Sequence, residues 1–222
     1  YSTFAVIRNS YPELRTTTIK TWLSIFPENE YGPMRWSPPL THHLKFPAKD
    51  SIAGVDCEVI FLALDQPKDV RKLLSLELTG AFLNEARELP LAVAQNLVHR
   101  VGRYPSKSHG GCFPFRGIWA DTNPPADDNW WYRLAEKEPV RGKYPWKFFD
   151  QPGGMIETKD PEGSVLAHGR YFKENPKAEN VNNLPENYYL QQLGGQSLDF
   201  IKAYVCGQYA FVREGRAVFE DY

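Results

Sequence analysis

Leu78-Thr79-Gly80-Ala81-Phe82-Leu83 runs directly into Asn84-Glu85-Ala86-Arg87-Glu88. A short apolar run that stops at a polar cluster reads as a buried strand whose carboxyl end lies at a sheet edge. The pattern repeats outward in both directions. Phe4-Ala5-Val6-Ile7 ends in Arg8-Asn9-Ser10, residues 57–64 are broken by Asp65-Gln66-Pro67, and Gly117-Ile118-Trp119-Ala120 ends in Asp121-Thr122-Asn123-Pro124-Pro125. Trp146-Lys147-Phe148-Phe149 reads as a fifth short strand. Helical stretches lie between them. Residues 13–26 place Leu14, Thr18, Trp22 and Ile25 on one face, with Pro12 suited to the first turn. Shorter ones cover 68–74, 91–101 and 127–138.

Strands that alternate with helices predict an open α/β sheet with a mainly parallel core. Such sheets bind ligands outside the carboxyl ends of their strands. Arg8-Asn9, Asn84-Glu85 and Thr122-Asn123 all fall at such ends, which marks one candidate active edge. Residues 33–47 are Pro-rich and read as a surface loop. A polar region marked by Pro and Gly runs on to about residue 185, and 187–207 is again helical, broken near Gly194-Gly195.

Composition narrows the function classes. The chain has 222 residues and a formal net charge of −1, so a basic nucleic-acid clamp over its whole surface is excluded, while a local basic patch is not. Cys57, Cys112 and Cys206 are too few and too scattered for a disulfide framework or a CxxC zinc site, and read as reduced thiols. His42 and His43 have no carboxylate or thiol partner placed nearby in sequence. No run approaches the roughly 20 apolar residues of a membrane span. GxxxxGK[ST], GxSxG and HExxH are all absent. The chain opens on Tyr1 and closes on Tyr222, and both ends read as cuts through a longer chain.

The chemistry-bearing residues are few. A Glu at the end of an apolar strand can orient or deprotonate a water, which is a general-base role. Its plain alternative is an acid at a helix start, favoured by the dipole. Asn84 stands where nucleotide hydrolases usually carry a magnesium-side Asp, and brings no charge. Thr122 and Asn123 can sense a γ-phosphate or position a water, or simply make the turn that Asn-Pro favours. Trp130-Trp131-Tyr132 suits a core or domain joint better than base stacking.

In combination these pieces resemble the ATPase region of phage terminase large subunits, particularly prophage-type ones, over nearly the whole chain. The resemblance rests on Phe4-Ala5-Val6-Ile7-Arg8 leading to Leu14-Arg15-Thr16-Thr17-Thr18-Ile19, on Asp65-Gln66-Pro67 and Val70-Arg71, on Ala81-Phe82-Leu83-Asn84-Glu85-Ala86, and on Asp121-Thr122-Asn123-Pro124-Pro125 before Trp130-Trp131-Tyr132. Gln151-Pro152-Gly153-Gly154, Asn183-Leu184-Pro185-Glu186-Asn187-Tyr188-Tyr189 and Tyr204-Val205-Cys206-Gly207-Gln208-Tyr209 continue it. It implies a RecA-like ASCE P-loop NTPase core, incomplete at its N-terminus, with 1–150 as truncated ATPase core and 151–222 as the rest of the region and the passage toward a nuclease domain. It implies ATP and Mg2+ as ligands, with Glu85 activating the attacking water and Asn84 on the magnesium side. Thr122 and Asn123 fall on the motif that couples hydrolysis to movement, and Arg71 on a finger position toward a neighbouring subunit. The implied partners are double-stranded DNA, a portal protein, a terminase small subunit and further copies in a ring, in the cytoplasm of the bacterial host. Without the phosphate-binding loop, the chain by itself is expected neither to bind ATP tightly nor to cut DNA. A competing expectation is a non-catalytic interaction module with a degraded nucleotide site, which Asn84 also fits. A carbohydrate-active enzyme would need two carboxylates paired across a cleft, and nothing in the sequence pairs them.

Overall fold

The computed structural model describes residues 1–49, 54–64, 69–106, 108, 116–138, 146–179 and 181–210. Asp65-Gln66-Pro67 and Cys112 lie outside them. The chain divides into two compact units, Tyr1–Thr122 and Asn123–Tyr222.

The first unit holds a six-stranded sheet. Its strands are β1 (Ser2–Arg8), β2 (Met34–Arg35), β3 (Leu40–Phe46), β4 (Val55–Ala63), β5 (Gly80–Leu83) and β6 (Gly117–Ala120), in the spatial order β2-β3-β4-β1-β5-β6. β4, β1, β5 and β6 are parallel, while β3 and β2 add antiparallel at one edge. β1 lies in the middle and reads as a nearly continuous apolar run because both its faces are covered; Ala5 and Ile7 are fully buried.

The helix after β1 runs through Tyr11–Glu13, Leu14–Thr18 and Ile19–Ile25 and is called α1 here. Ser10 caps it reciprocally with Glu13: the Ser10 hydroxyl accepts from the Glu13 backbone N–H at 3.4 Å and donates to Glu13 Oε2 at 2.9 Å. Thr16 and Thr17 donate their hydroxyls to the carbonyls of Pro12 and Glu13, four residues back, at 2.8 and 2.6 Å. Such back-bonding competes with the helix ladder, and Leu14–Thr18 is wound as a π turn. Leu14 and Ile19 lock the helix onto the sheet with Val6, Val59 and Phe61. Both are fully buried, a contribution of roughly 1.5–3 kcal/mol each.

Residues 33–47 are not a loop. β2 and β3 form there, and β3 buries Leu40, His42 and Leu44 in strict alternation. The period of two was hidden because an inward position carries a histidine. His42 is fully buried, with Nδ1 accepting from Trp22 Nε1 at 2.9 Å and Nε2 lying 2.7 Å from the Gly32 carbonyl. Those contacts assign the neutral tautomer with its proton on Nε2.

The second unit contains a three-stranded antiparallel sheet of β7 (Met155–Thr158), β8 (Val165–Ala167) and β9 (Arg170–Glu174), ordered β7-β9-β8, in the region read from sequence as irregular. Its core joins Met155 and Phe172 to Leu193, Ile201, Val205 and Cys206. Two glycines make that packing possible. A Cβ on Gly153 would stand 2.2 Å from the Cys206 carbonyl carbon, and one on Gly154 2.2 Å from the Tyr189 ring. Asn175 ties the pair down, Nδ2 donating to the Gly153 carbonyl at 2.8 Å and its backbone N–H to that of Gly154 at 2.9 Å.

Trp146-Lys147-Phe148-Phe149 joins no ladder among the described residues, against expectation. Its alternation is real but serves side chains: Trp146 and Phe148 stack at 6.2 Å between centroids and meet Trp130 and Trp131 edge to face. Trp130–Tyr132 and Arg133–Lys137 form the helix expected over 127–138.

Candidate active site

The registers of β1, β5 and β6 align Ile7 with Leu83 and Leu83 with Ala120. The next residues, Arg8, Asn84 and Asp121, therefore emerge side by side at one sheet edge. Backbone bonds hold this edge together: Asn84 N–H to the Ile7 carbonyl at 2.9 Å, Asp121 N–H to Leu83 at 3.1 Å and Ala86 N–H to Asp121 at 2.8 Å. Between Asn84 and Ala86 the chain turns sharply. Glu85 sits in the left-handed region, φ 53° and ψ 57°, a conformation that costs a residue with a Cβ about 1 kcal/mol or more.

A cleft of about 500 Å³ opens here, lined among others by Arg8, Thr18, Trp22, Asn84, Glu85 and Asp121. Asn84 is its hub. Its Oδ1 accepts from the Thr18 hydroxyl at 2.7 Å and from Arg8 Nη1 at 3.4 Å. Its Nδ2 lies 3.1 Å from both carboxylate oxygens of Asp121. Asp121 Oδ1 also accepts the Glu85 backbone N–H at 3.2 Å, pinning the strained residue. Thr18 is the last residue of the π turn of α1, and such turns tend to occur at functional sites.

Arg8 is the local cation. Its side chain is 11% exposed and faces three carboxylates, with nitrogen–oxygen separations of 3.4 Å to Glu88, 3.6 Å to Glu13 and 4.0 Å to Glu85. Three acids face this guanidinium, and Arg87 adds a further positive charge that acts on Glu88. Oε2 of Glu85 and Oε2 of Glu88 are buried with no hydrogen-bond partner. Burial pushes the Glu88 carboxyl above its ordinary range; Arg8 opposes the shift, while Glu13 and Glu85 reinforce it. Glu85 lines the cleft, and a carboxylate at such an edge is a group able to accept a proton from a bound water.

Of the residues singled out in sequence, Glu85 and Asn84 line the cleft. Thr122 stands one residue beyond Asp121 and accepts the Arg87 backbone N–H on Oγ1 at 3.4 Å, linking the end of β6 to the turn after Glu85. Asn123 is half-buried and opens the second unit. Arg71 lies on the helix Val70–Leu74, exposed, and does not line the cleft. Sequence reasoning gave no role to Thr18 or Asp121, and saw Arg8 only as a strand-end polar residue. The position of Asp121 was legible, since it follows a strand as Asn84 does; its pairing with Asn84 was not. Among the described residues no three His, Cys, Asp or Glu side chains are grouped to hold a metal ion, and no helix is long and apolar enough to cross a membrane.

The sequence matches no family model and no curated protein. Solved structures do match. The large terminase of a thermophilic bacteriophage is similar over 94% of this chain and 41% of that one, at 12% identity and a TM-score of 0.54. The same terminase in complex with ATP-γ-S is similar over 94% and 40%, at 12% identity and a TM-score of 0.52. The fold, a mainly parallel α/β sheet, is that of the matching part of a phage large terminase. In this terminase fold the mainly parallel sheet brings the ends of β1, β5 and β6 to one edge. The chain spans about two fifths of the length of the terminase it matches. At 12% identity the likeness carries the fold, and residue roles rest on the geometry of the site.

Proposed function

We propose that this chain is part of the ATP-hydrolysing motor of a phage large terminase, which moves double-stranded DNA into procapsids. The observation that carries the reading is Glu85: a strained, half-buried glutamate at the carboxyl end of a central parallel strand, with one oxygen unpartnered beside a cleft. In a RecA-like sheet that is where a carboxylate can orient water toward a nucleotide's γ-phosphate. Glu85 is assigned the role of water activator. Arg8, 4.0 Å from Glu85 Oε1, places a positive charge beside the carboxylate at the cleft wall. Asn84 stays on the magnesium side through its hydrogen bonds, and Thr122 and Asn123, placed where the sheet gives way to the second unit, couple hydrolysis to movement.

The donor set fits a hard divalent cation, since every cleft donor is an oxygen and Mg2+ is held by one or two carboxylates together with phosphates and waters. Mg2+ bound there would neutralise charge developing on the phosphate oxygens. Arg71, exposed and away from the cleft, suits a finger toward another subunit of a ring better than a role in its own site. A portal protein and a small subunit are the partners this reading brings, and the bacterial cytoplasm its place.

The alternative, a non-catalytic module, is favoured by one observation: both polar ends of Asn84 are satisfied within the protein. Glu85→Gln decides between the two, because it keeps size and hydrogen bonding but removes the base. DNA-stimulated ATP turnover by the protein carrying this chain is expected to fall by about 10²-fold or more. Turnover that survives the substitution sinks the motor reading.

A further inference from the structure

An Asn in the strand position where a magnesium-side carboxylate is expected looks like a lost ligand. The structure gives a different account. Asn84 Oδ1 uses both its lone pairs, on Thr18 and on Arg8, so the residue has none left for a cation. Its amide nitrogen points the other way, 3.1 Å from each oxygen of Asp121. An aspartate at 84 would set two carboxylates at about that separation, and like charges so close cannot both stay ionised cheaply. Positions 84 and 121 therefore share a single carboxylate. Here it sits on β6, the neighbouring strand, instead of on β5.

We propose that Asp121 is the carboxylate ligand for the divalent cation of this cleft, with Asn84 as the residue that orients it. The inference rests on the cleft being a nucleotide site. Asp121 has the capacity: a carboxylate offers about four lone-pair sites, and the protein takes three, two from Asn84 and one from the Glu85 N–H. It is exposed toward solvent and lines the same cleft as Glu85. The absence of a three-ligand cage among the described residues is no obstacle, because Mg2+ commonly takes one or two carboxylates and completes its shell with phosphate and water. Asp121 also fixes Glu85 through its backbone N–H, so cation and water-activating carboxylate are held by one side chain.

A charge swap tests this, with Mn2+ as the probe, read by electron paramagnetic resonance on the protein without nucleotide and then with ADP. D121N is expected to weaken Mn2+ binding about tenfold or more, as loss of a ligating or ligand-orienting group does. N84D alone is expected to lower the melting temperature through carboxylate repulsion. The double variant N84D/D121N restores one charge to the pair, and is expected to recover both stability and Mn2+ affinity to within about threefold of the wild type, a residual of about 0.6 kcal/mol. Mn2+ binding that ignores D121N, wild-type protein that binds no Mn2+ with or without ADP, or a folded double variant that fails to recover it, each overturns the assignment. E85Q separates the two readings: it leaves Mn2+ affinity in place while removing turnover, so a failed motor reading shows in turnover alone and a failed ligand assignment in Mn2+ binding alone.

Discussion

Glu85 pays a conformational penalty that nothing in its packing requires. Its left-handed backbone is maintained by the Asp121 carboxylate on its N–H and by the next N–H, that of Ala86, on the Asp121 carbonyl. Strain kept in place by surrounding bonds is common where a side chain must be aimed. Glu85→Gly, which removes the Cβ clash, is expected to leave stability unchanged or to raise it by up to about 1 kcal/mol in denaturant unfolding, while abolishing turnover. A loss of about 2 kcal/mol or more would mean that the side chain is structural. Glu88 supplies a pH test. Its carboxyl is raised by burial, so the folded state holds the proton more tightly than the unfolded chain does. Below the ordinary value of 4.5 both states are protonated and no penalty applies. As pH rises past that value the unfolded chain ionises first, and stability falls until the raised folded value is passed. Glu88→Gln is expected to flatten this decline in unfolding curves taken from about pH 4 to 7, and to be the more stable protein at the upper end.

At the level of elements, most of the first unit was legible. β1, β5 and β6 and the helix after β1 were readable because each shows one period over its length and carries punctuation in Ser10, Pro12 or Asn123-Pro124. β3 escaped because His42 occupies an inward position that a hydropathy pattern scores as polar; its two hydrogen-bond partners, Trp22 and the Gly32 carbonyl, make that burial tolerable. Trp146-Lys147-Phe148-Phe149 failed in the opposite sense, an alternation satisfied by aromatic rings instead of a ladder. The Gly153-Gly154 turn before β7 belongs at this scale too. Its two glycines let the backbone press against Cys206 and the Tyr189 ring, joining three sequence motifs that lie far apart in the chain. Gly154→Ala is expected to cost roughly 1–3 kcal/mol through overpacking, read as an earlier thermal transition. An unchanged transition would show that the ring moves aside freely.

Across the whole molecule the sequence by itself determined the alternation of strands and helices, the mainly parallel sheet, and the edge where Glu85 and Asn84 lie. It did so because periodicity, strand-end polar clusters and turn residues are local properties, written in consecutive residues. Three things were decided only by the tertiary structure. The division between the units falls after Thr122, and no composition shift marks it. The antiparallel sheet β7-β9-β8 forms from segments too polar to announce themselves, because one fully buried Met155 and one fully buried Phe172 suffice once the helix carrying Ile201 and Val205 covers them. The meaning of Asn84 was also beyond the sequence. Its partners Thr18 and Asp121 stand 66 and 37 residues away along the chain. Only the parallel registers that set β1, β5 and β6 side by side place a carboxylate, Asp121, next to it on the neighbouring strand.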